Sequence, residues 1–271
     1  MNLKPKLISL FIISILSGGF FPVSAKPKIL IVMSAASTLA LDNNPSYPTG
    51  VFINELYEPI RTLDQKGYDL VFASPKGKPA TMDPESLKDK YWESKEAKEE
   101  AIRFLQRNAS FQNPEVLELV LPKSKSFQGL LIPGGQGLMS DLLYDPTLPK
   151  LLETFQKENK AIGLVCHAPA LLTTLDQSGD AENFLFKGYR VNSVTSMEEW
   201  FIETFVMKGT PKVRKISSLL EKRGMVYESS FLPGRPYAVR DRNLVTSQNP
   251  FSGTRFTELY VEALDSLAQK P

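Results

Sequence analysis

AIGLVCHAPALLTTL, residues 161–175, decides the fold. Its first five residues form a short, wholly apolar run, as expected of a strand buried on both faces, and the residues after it have helical character. Between them stand Cys166 and His167, which are the chain's single cysteine and single histidine. A strand running straight into a turn and then a helix is the unit of an open parallel sheet, whose sites lie beyond the carboxyl ends of the strands. Cys166 occupies such an end. A sharp turn there lifts a nucleophile clear of the sheet, and a following helix N-terminus favours its thiolate. The competing reading is a small cysteine buried on a core strand; the strand-end position and the adjoining His167 favour a functional one. Adjacency alone does not bring the two side chains together, because neighbours on a regular strand point to opposite faces.

Working outward, KILIVM (28–33), YDLVFASP (68–75) and QGLLIPGG (128–135) repeat the pattern of apolar strand followed by turn. Before the second lies TGVFINELYEPIRTLDQKG (49–67), where Phe52, Leu56, Ile60 and Leu63 share one helical face and Gly67 supplies a stop. The alternation predicts an α/β protein, a three-layer flavodoxin-like sandwich with a mostly parallel central sheet. Residues 83–120 interrupt it with charged, helix-favouring sequence, read as a small helical insertion that is either a solvated excursion or a cap over one end of the sheet. Further on, 198–207 and 211–223 read as helices and MVYESSFL (225–232) as a strand. YAVRDRNLVTSQN (237–249) reads as two short strands joined at Asp241–Asn243, and a helix over 252–268 closes the chain. Trp200, Phe201 and Phe205 have the spacing of ordinary helical core.

Residues 1–25, MNLKPKLISLFIISILSGGFFPVSA, have the layout of a secretory signal: Lys4 and Lys6, an apolar run, a Gly18-Gly19 break, and Val23 and Ala25 before a cleavage point. The apolar stretch falls short of the ~20 residues that span a bilayer, so an exported protein, periplasmic or secreted, is expected, with residues 26–271 as one domain and no stable membrane insertion. Asn108-Ala109-Ser110 matches a glycosylation acceptor, a common tripeptide.

Composition narrows the chemistry. One cysteine permits no intrachain disulfide, and one cysteine with one histidine cannot complete a usual zinc site. With 32 Lys+Arg against 30 Asp+Glu, and two of the lysines in the signal, no basic footprint for nucleic acid exists. Any imidazole catalysis must use His167. Two segments fit beside it. PGGQG (133–137) follows the third strand, where its backbone can approach a developing oxyanion. Glu55 lies at the margin of the apolar stripe on the first helix; if buried, its carboxyl gains a raised pKa and can hydrogen-bond the thiol.

TGVFINELYEP, GLLIPGGQG, LVCHAPALL and NLVTSQNP, in this order, resemble the ThiJ/PfpI superfamily with its class I glutamine amidotransferase-like fold. The charged insertion and the C-terminal region are most similar to its glyoxalase III and heat-shock-chaperone branch. The resemblance implies Cys166 as nucleophile, His167 as general base and Glu55 as a protonated carboxyl beside the sulfur. It implies Glu199, with Glu198 as the alternative, as the acid orienting the histidine, and Gly135 with the backbone after the nucleophile as oxyanion contacts. Gln136 stands where the branch usually has histidine; a glutamine can bond but cannot shuttle a proton near neutral pH. The activity so implied is a metal-free, cofactor-independent glyoxalase acting on a small 2-oxoaldehyde. A holdase chaperone that binds unfolded clients, or a thiol amidase or peptidase, are the alternatives, and a homodimer is the expected assembly.

Overall fold

The strand ending in Val165 lies near the middle of a seven-stranded sheet. The computed structural model describes residues 26–175 and 182–268, so the expected signal segment lies outside the described residues. In chain order the first elements are β1 (Lys28–Val32), the short hairpin β2 (Thr38–Leu39) and β3 (Tyr47–Pro48), α1 (Ile53–Gln65) and β4 (Asp69–Ser74). Then come α2 (Lys95–Arg107), α3 (Ala109–Gln112), β5 (Glu115–Val116), α4 (Leu117–Val120), β6 (Phe127–Ile132), α5 (Leu148–Lys157) and β7 (Ala161–Val165). The remainder holds β8 (Arg190–Val191), α6 (Ser196–Phe201), α7 (Ile216–Lys222), β9 (Val226–Tyr227), β10 (Ala238–Asp241), β11 (Leu244–Ser247) and α8 (Gly253–Ala268).

The sheet order is β10-β11-β7-β6-β1-β4-β5, parallel throughout except for the β10–β11 pair. The chain is therefore an α/β protein with a mostly parallel central sheet. The apolar runs explain the order: β7 is buried at all five positions, and Ile29, Leu30, Ile31 and Val32 of β1 are fully buried. Strands covered on both faces need no polar alternation and take the centre. α1 and α8 pack together, and α8 lies on β7 and β11. Gly163 makes this close approach possible, since a Cβ there would fall 2.9 Å from Phe256 Cζ.

Several sequence expectations are corrected. The 83–120 segment is not wholly helical: after α2 and α3 it supplies β5, which pairs with Ala73 and Ser74 at the sheet edge. Its first part, Glu85–Leu87 and Asp89–Tyr91, forms 3-10 turns. The expected strand over 225–232 shortens to Val226–Tyr227, paired with β8 outside the main sheet, and the expected helix over 211–223 starts only at Ile216. The segment 198–207 is α-helical to Phe201 and then a π-helix over Ile202–Met207. After Cys166, Ala168–Thr174 winds as a 3-10 helix, not an α-helix, with Pro169 in its first turn. The thiol thus lacks the long α-helical dipole that the sequence suggested.

Candidate active site

Cys166 follows β7 with φ at +59°, in the left-handed region that L-residues avoid. That conformation costs about 1 kcal/mol in a non-glycine residue and must be held by its surroundings. Two bonds hold it: Cys166 N–H donates to Ser247 O at 2.8 Å, and Val194 N–H donates to Cys166 O at 3.0 Å. The reversed backbone solves the problem of adjacency. Instead of pointing to opposite faces, the two side chains meet, with Cys166 Sγ 3.2 Å from His167 Nδ1.

The far side of the ring is occupied by Gln136, whose Nε2 lies 2.8 Å from His167 Nε2. With the amide so oriented, its N–H donates to Nε2, Nδ1 carries the ring proton, and Oε1 is left buried without a partner. A half-turn of the amide places Oε1 on a protonated Nε2 and leaves Nδ1 free to accept the thiol proton. Gln136 therefore belongs to the histidine as well as to the cavity wall.

Glu55, on the first turn of α1, is 2 % exposed. Burial pushes its carboxyl up to about 8, against the opposing influence of the Cys166 sulfur. Gly134 lets the groups gather: a Cβ there would stand 2.3 Å from Glu55 Oε2 and 2.8 Å from Cys166 Cβ. Gly135, at φ +109°, turns the chain away from β6 and lines the cavity beside the sulfur.

The carboxylates of RVNSVTSMEEW do not reach the imidazole. Glu199, expected to orient His167, instead accepts from Ile216 N–H at 3.3 Å at the start of α7, and burial raises it to about 7. Glu198 lines the cavity, but its carboxylate is fully engaged. Oε2 accepts from Thr195 N–H and Oγ1, closing a capping box on α6, and Oε1 accepts from Gly234 N–H, Gln248 Nε2 and Asn249 Nδ2. This explains the TSQNP stretch, whose amides anchor α6. Both ring nitrogens of His167 are already taken by Cys166 and Gln136.

Burial sets the resting charge. It pushes the Cys166 thiol up, with Glu55 and Glu198 adding to the effect, and lowers the imidazole of His167 to about 4. The site at neutral pH is a thiol, a neutral imidazole and a largely protonated carboxyl, rather than a thiolate–imidazolium pair.

With Glu55 buried behind them, Cys166, His167, Gln136 and Gly135 lie at a cavity of about 580 Å³. Its lining includes Phe52, Tyr91 and Phe251, which touch in sequence with ring centroids 5.0 and 5.7 Å apart. From the 83–120 segment, Asp83, Glu85, Lys90 and Tyr91 line it. Trp200 and Phe201 also line it. Read as core from their spacing, they are 55 % and 50 % exposed, and Phe205 is 56 % exposed. The apolar stripe of α6 and the π-helix faces the cavity and solvent because the α6 residues turned inward are Glu198 and Glu199. Sequence reasoning missed Tyr91, Phe251 and the Gln136–His167 bond; only the aromatic content of the insertion hinted at the first.

An open, mostly parallel α/β sheet with a cysteine on a strained turn at a strand end defines a class of nucleophile-elbow proteins. Within it the assignment is specific: the sequence model of the DJ-1/PfpI family matches residues 50–263, and the chain belongs to that family. It is 22% identical over 246 residues to the protein/nucleic acid deglycase HchA of Pseudomonas aeruginosa, covering 90% of this chain and 82% of that one. It is 25% identical over 259 residues to the glutathione-independent glyoxalase hsp3101 of Schizosaccharomyces pombe, covering 90% and 99%. Among solved structures, glyoxalase III of Candida albicans superposes with a TM-score of 0.72 at 22% identity, covering 88% of this chain and 97% of that one.

Proposed function

We propose that the protein is a glutathione-independent glyoxalase that converts a 2-oxoaldehyde to a 2-hydroxy acid. The observation that carries this reading is the 3.2 Å contact of Cys166 Sγ with His167 Nδ1 beside a buried, protonated Glu55. Cys166 and His167 are each 5 % exposed, within reach of a small free aldehyde at the cavity floor. The relatives named deglycase and glyoxalase support the wider class.

In this mechanism the Gln136 amide is turned so that its Oε1 accepts from Nε2–H of His167, and the freed Nδ1 takes the thiol proton as sulfur bonds to the aldehyde carbon, then returns it to the new alkoxide, giving a hemithioacetal. The neutral imidazole next moves the proton of that carbon to the neighbouring ketone carbon through an enediol, while the hydroxyl proton passes between the two oxygens. The product is a thioester of Cys166. Water adds to it, the carbon–sulfur bond breaks, sulfur regains a proton and the 2-hydroxy acid leaves. One water is consumed overall, with no external oxidant or reductant. Glu55 donates its proton toward the sulfur and keeps a second negative charge away from it, and Gly135 opens the backbone for the oxyanion. Gln136 holds His167 Nε2 throughout.

The test is lactate formation from methylglyoxal without glutathione, by purified protein lacking residues 1–25. Absence of lactate in the wild type, or its persistence in Cys166→Ala, would falsify the reading. A holdase activity is a second reading, favoured by the exposure of Met197, Trp200, Phe201 and Phe205. It requires suppression of client aggregation that survives Cys166→Ala; a wild type that suppresses none removes it. Export is part of the proposal, to be checked by cell fractionation and the N-terminal sequence of the mature chain.

A further inference from the structure

We infer that the substrate carries an aromatic group on its ketone carbon: the cavity is built for an aryl 2-oxoaldehyde rather than for the three-carbon methylglyoxal. The inference rests on the glyoxalase reading and concerns the chemistry of the part of the substrate that does not react.

Size is the first ground. A cavity of about 580 Å³ falls in the range of pockets that enclose drug-sized ligands, and a methyl group at the reacting end would leave most of it filled with water. The second ground is the distribution of polar groups. Away from the floor, the charged side chains lining the cavity are paired with protein partners. Asp83 accepts from Thr49 Oγ1 and from Glu85 N–H, and Lys90 pairs with Glu85 at 2.7 Å. Glu198 accepts five hydrogen bonds, three of them from Gly234, Gln248 and Asn249. The polar groups left for a ligand are those of Cys166, His167, Gln136 and Gly135, which meet the reacting carbonyls, and on the walls only the Tyr47 hydroxyl and the Trp200 indole N–H, each on an aromatic ring. A charged or polyhydroxylated tail would enter a space with few uncommitted partners and lose most of its hydration there.

The third ground is the surface that such a tail would touch. Phe52, Tyr91 and Phe251 present one aromatic set to the cavity, and Trp200 and Phe201 present another. Trp200 and Phe201 leave half of their surface open to solvent, an arrangement with a cost that a bound ring removes by covering them. The reaction is unchanged: phenylglyoxal plus one water gives mandelate, by the same proton transfers and the same thioester.

The experiment compares mandelate formation from phenylglyoxal with lactate formation from methylglyoxal, and with acid formation from 3-deoxyglucosone, a polyhydroxylated 2-oxoaldehyde similar in size to phenylglyoxal. Products are quantified by chromatography, without glutathione. We expect kcat/KM for phenylglyoxal at least tenfold above both others, since even one well-packed methylene is worth about tenfold or more. The ratio of phenylglyoxal to methylglyoxal should fall at least fivefold in Trp200→Ala and recover in Trp200→Phe, which restores a ring. Methylglyoxal or 3-deoxyglucosone used as well as phenylglyoxal overturns the inference and leaves the glyoxalase reading standing, as does a ratio insensitive to Trp200. If no acid forms from any of the three, the glyoxalase reading fails and the inference fails with it.

Discussion

Gln136 and His167 are joined side chain to side chain at 2.8 Å, on the edge of the imidazole away from Cys166. An amide thus occupies the place a carboxylate takes in many Cys-His sites. It can hold either tautomer, because one end donates and the other accepts, but it offers no charge to stabilise an imidazolium.

Replacing that amide should therefore change the acid–base behaviour of the ring rather than the fold. Gln136→Leu removes a buried hydrogen bond worth about 1 to 2 kcal/mol, which, if felt in the transition state, corresponds to about five- to thirtyfold in kcat. Gln136→Glu places an anion on Nε2 and should raise the proton affinity of His167 from its low value, moving the acidic limb of the pH–rate profile to higher pH. A profile that does not move in Gln136→Glu would show that the amide does not govern the ring.

The chain has one histidine, so its titration can be followed without assignment. With its folded pKa lowered to about 4 by burial, the labelled imidazole should stay neutral from pH 8 down to about 5. The sign follows by linkage: the folded pKa lies below the unfolded ~6.5, so neutral His167 contributes stability above that value, lost as pH falls through 6.5 toward 4. His167→Gln should blunt this part of the acid sensitivity in denaturant unfolding. A ring that titrates near 6.5 in the folded protein would contradict the burial argument.

Glu55 behaves in the opposite sense. Its folded pKa of about 8 lies above the unfolded value near 4.5, so the stability it contributes is complete below 4.5 and is lost as pH rises to 8. Glu55→Gln keeps a neutral side chain at every pH. Its stability relative to wild type should grow between pH 5 and 8 by a few kcal/mol and then level off, as read from urea midpoints. Above pH 8 the ionised wild-type carboxylate should also slow alkylation of Cys166 relative to the variant.

The two neighbouring acids on α6 should separate cleanly. Glu198 gathers five donors, so Glu198→Ala leaves several buried donors unpaired and should destabilise the protein by about 3 kcal/mol or more. Glu199→Gln should change kcat by less than twofold, because its carboxylate meets Ile216 rather than His167. A hundredfold loss of kcat in Glu199→Gln, with melting temperature preserved, would restore it as the orienting acid.

The conformation at Cys166 is testable by stability alone. With φ at +59°, Cys166→Gly should be more stable than Cys166→Ala by about 1 kcal/mol, since glycine adopts that region without steric cost. Equal thermal midpoints for the two variants would mean that the turn relaxes once the sulfur is gone.

What was legible in the sequence were features set by local pattern: the apolar runs of β1, β4, β6 and β7, the amphipathic stripe of α1, and the break after Val165. From its margin position alone Glu55 reads as a boundary residue; its place beside the sulfur follows from the resemblance, and its burial is visible only in the fold. The partner of His167 was not legible, because Glu198 and Glu199 differ by only about 100° around α6 and their partners, Asn249 and Ile216, lie far along the chain. Nor could spacing distinguish an apolar stripe facing the core from one facing a cavity, which is why Trp200 and Phe201 were misplaced. The 3-10 winding after His167 depends on packing around the strained turn, and a helical composition does not reveal it.

The neutrality of the resting site has a consequence for durability. Peroxides attack thiolates, and a thiol whose ionisation is disfavoured by burial, with a neutral imidazole and a protonated acid for neighbours, gives them little to attack. On the mechanism proposed above, a bound aldehyde would change the situation, because bond formation to carbon and proton transfer to His167 would proceed together. Reactivity is then conditional on the electrophile: burial disfavours the thiolate that oxidants attack, and on the proposed mechanism Cys166 acts as a nucleophile only with an aldehyde bound.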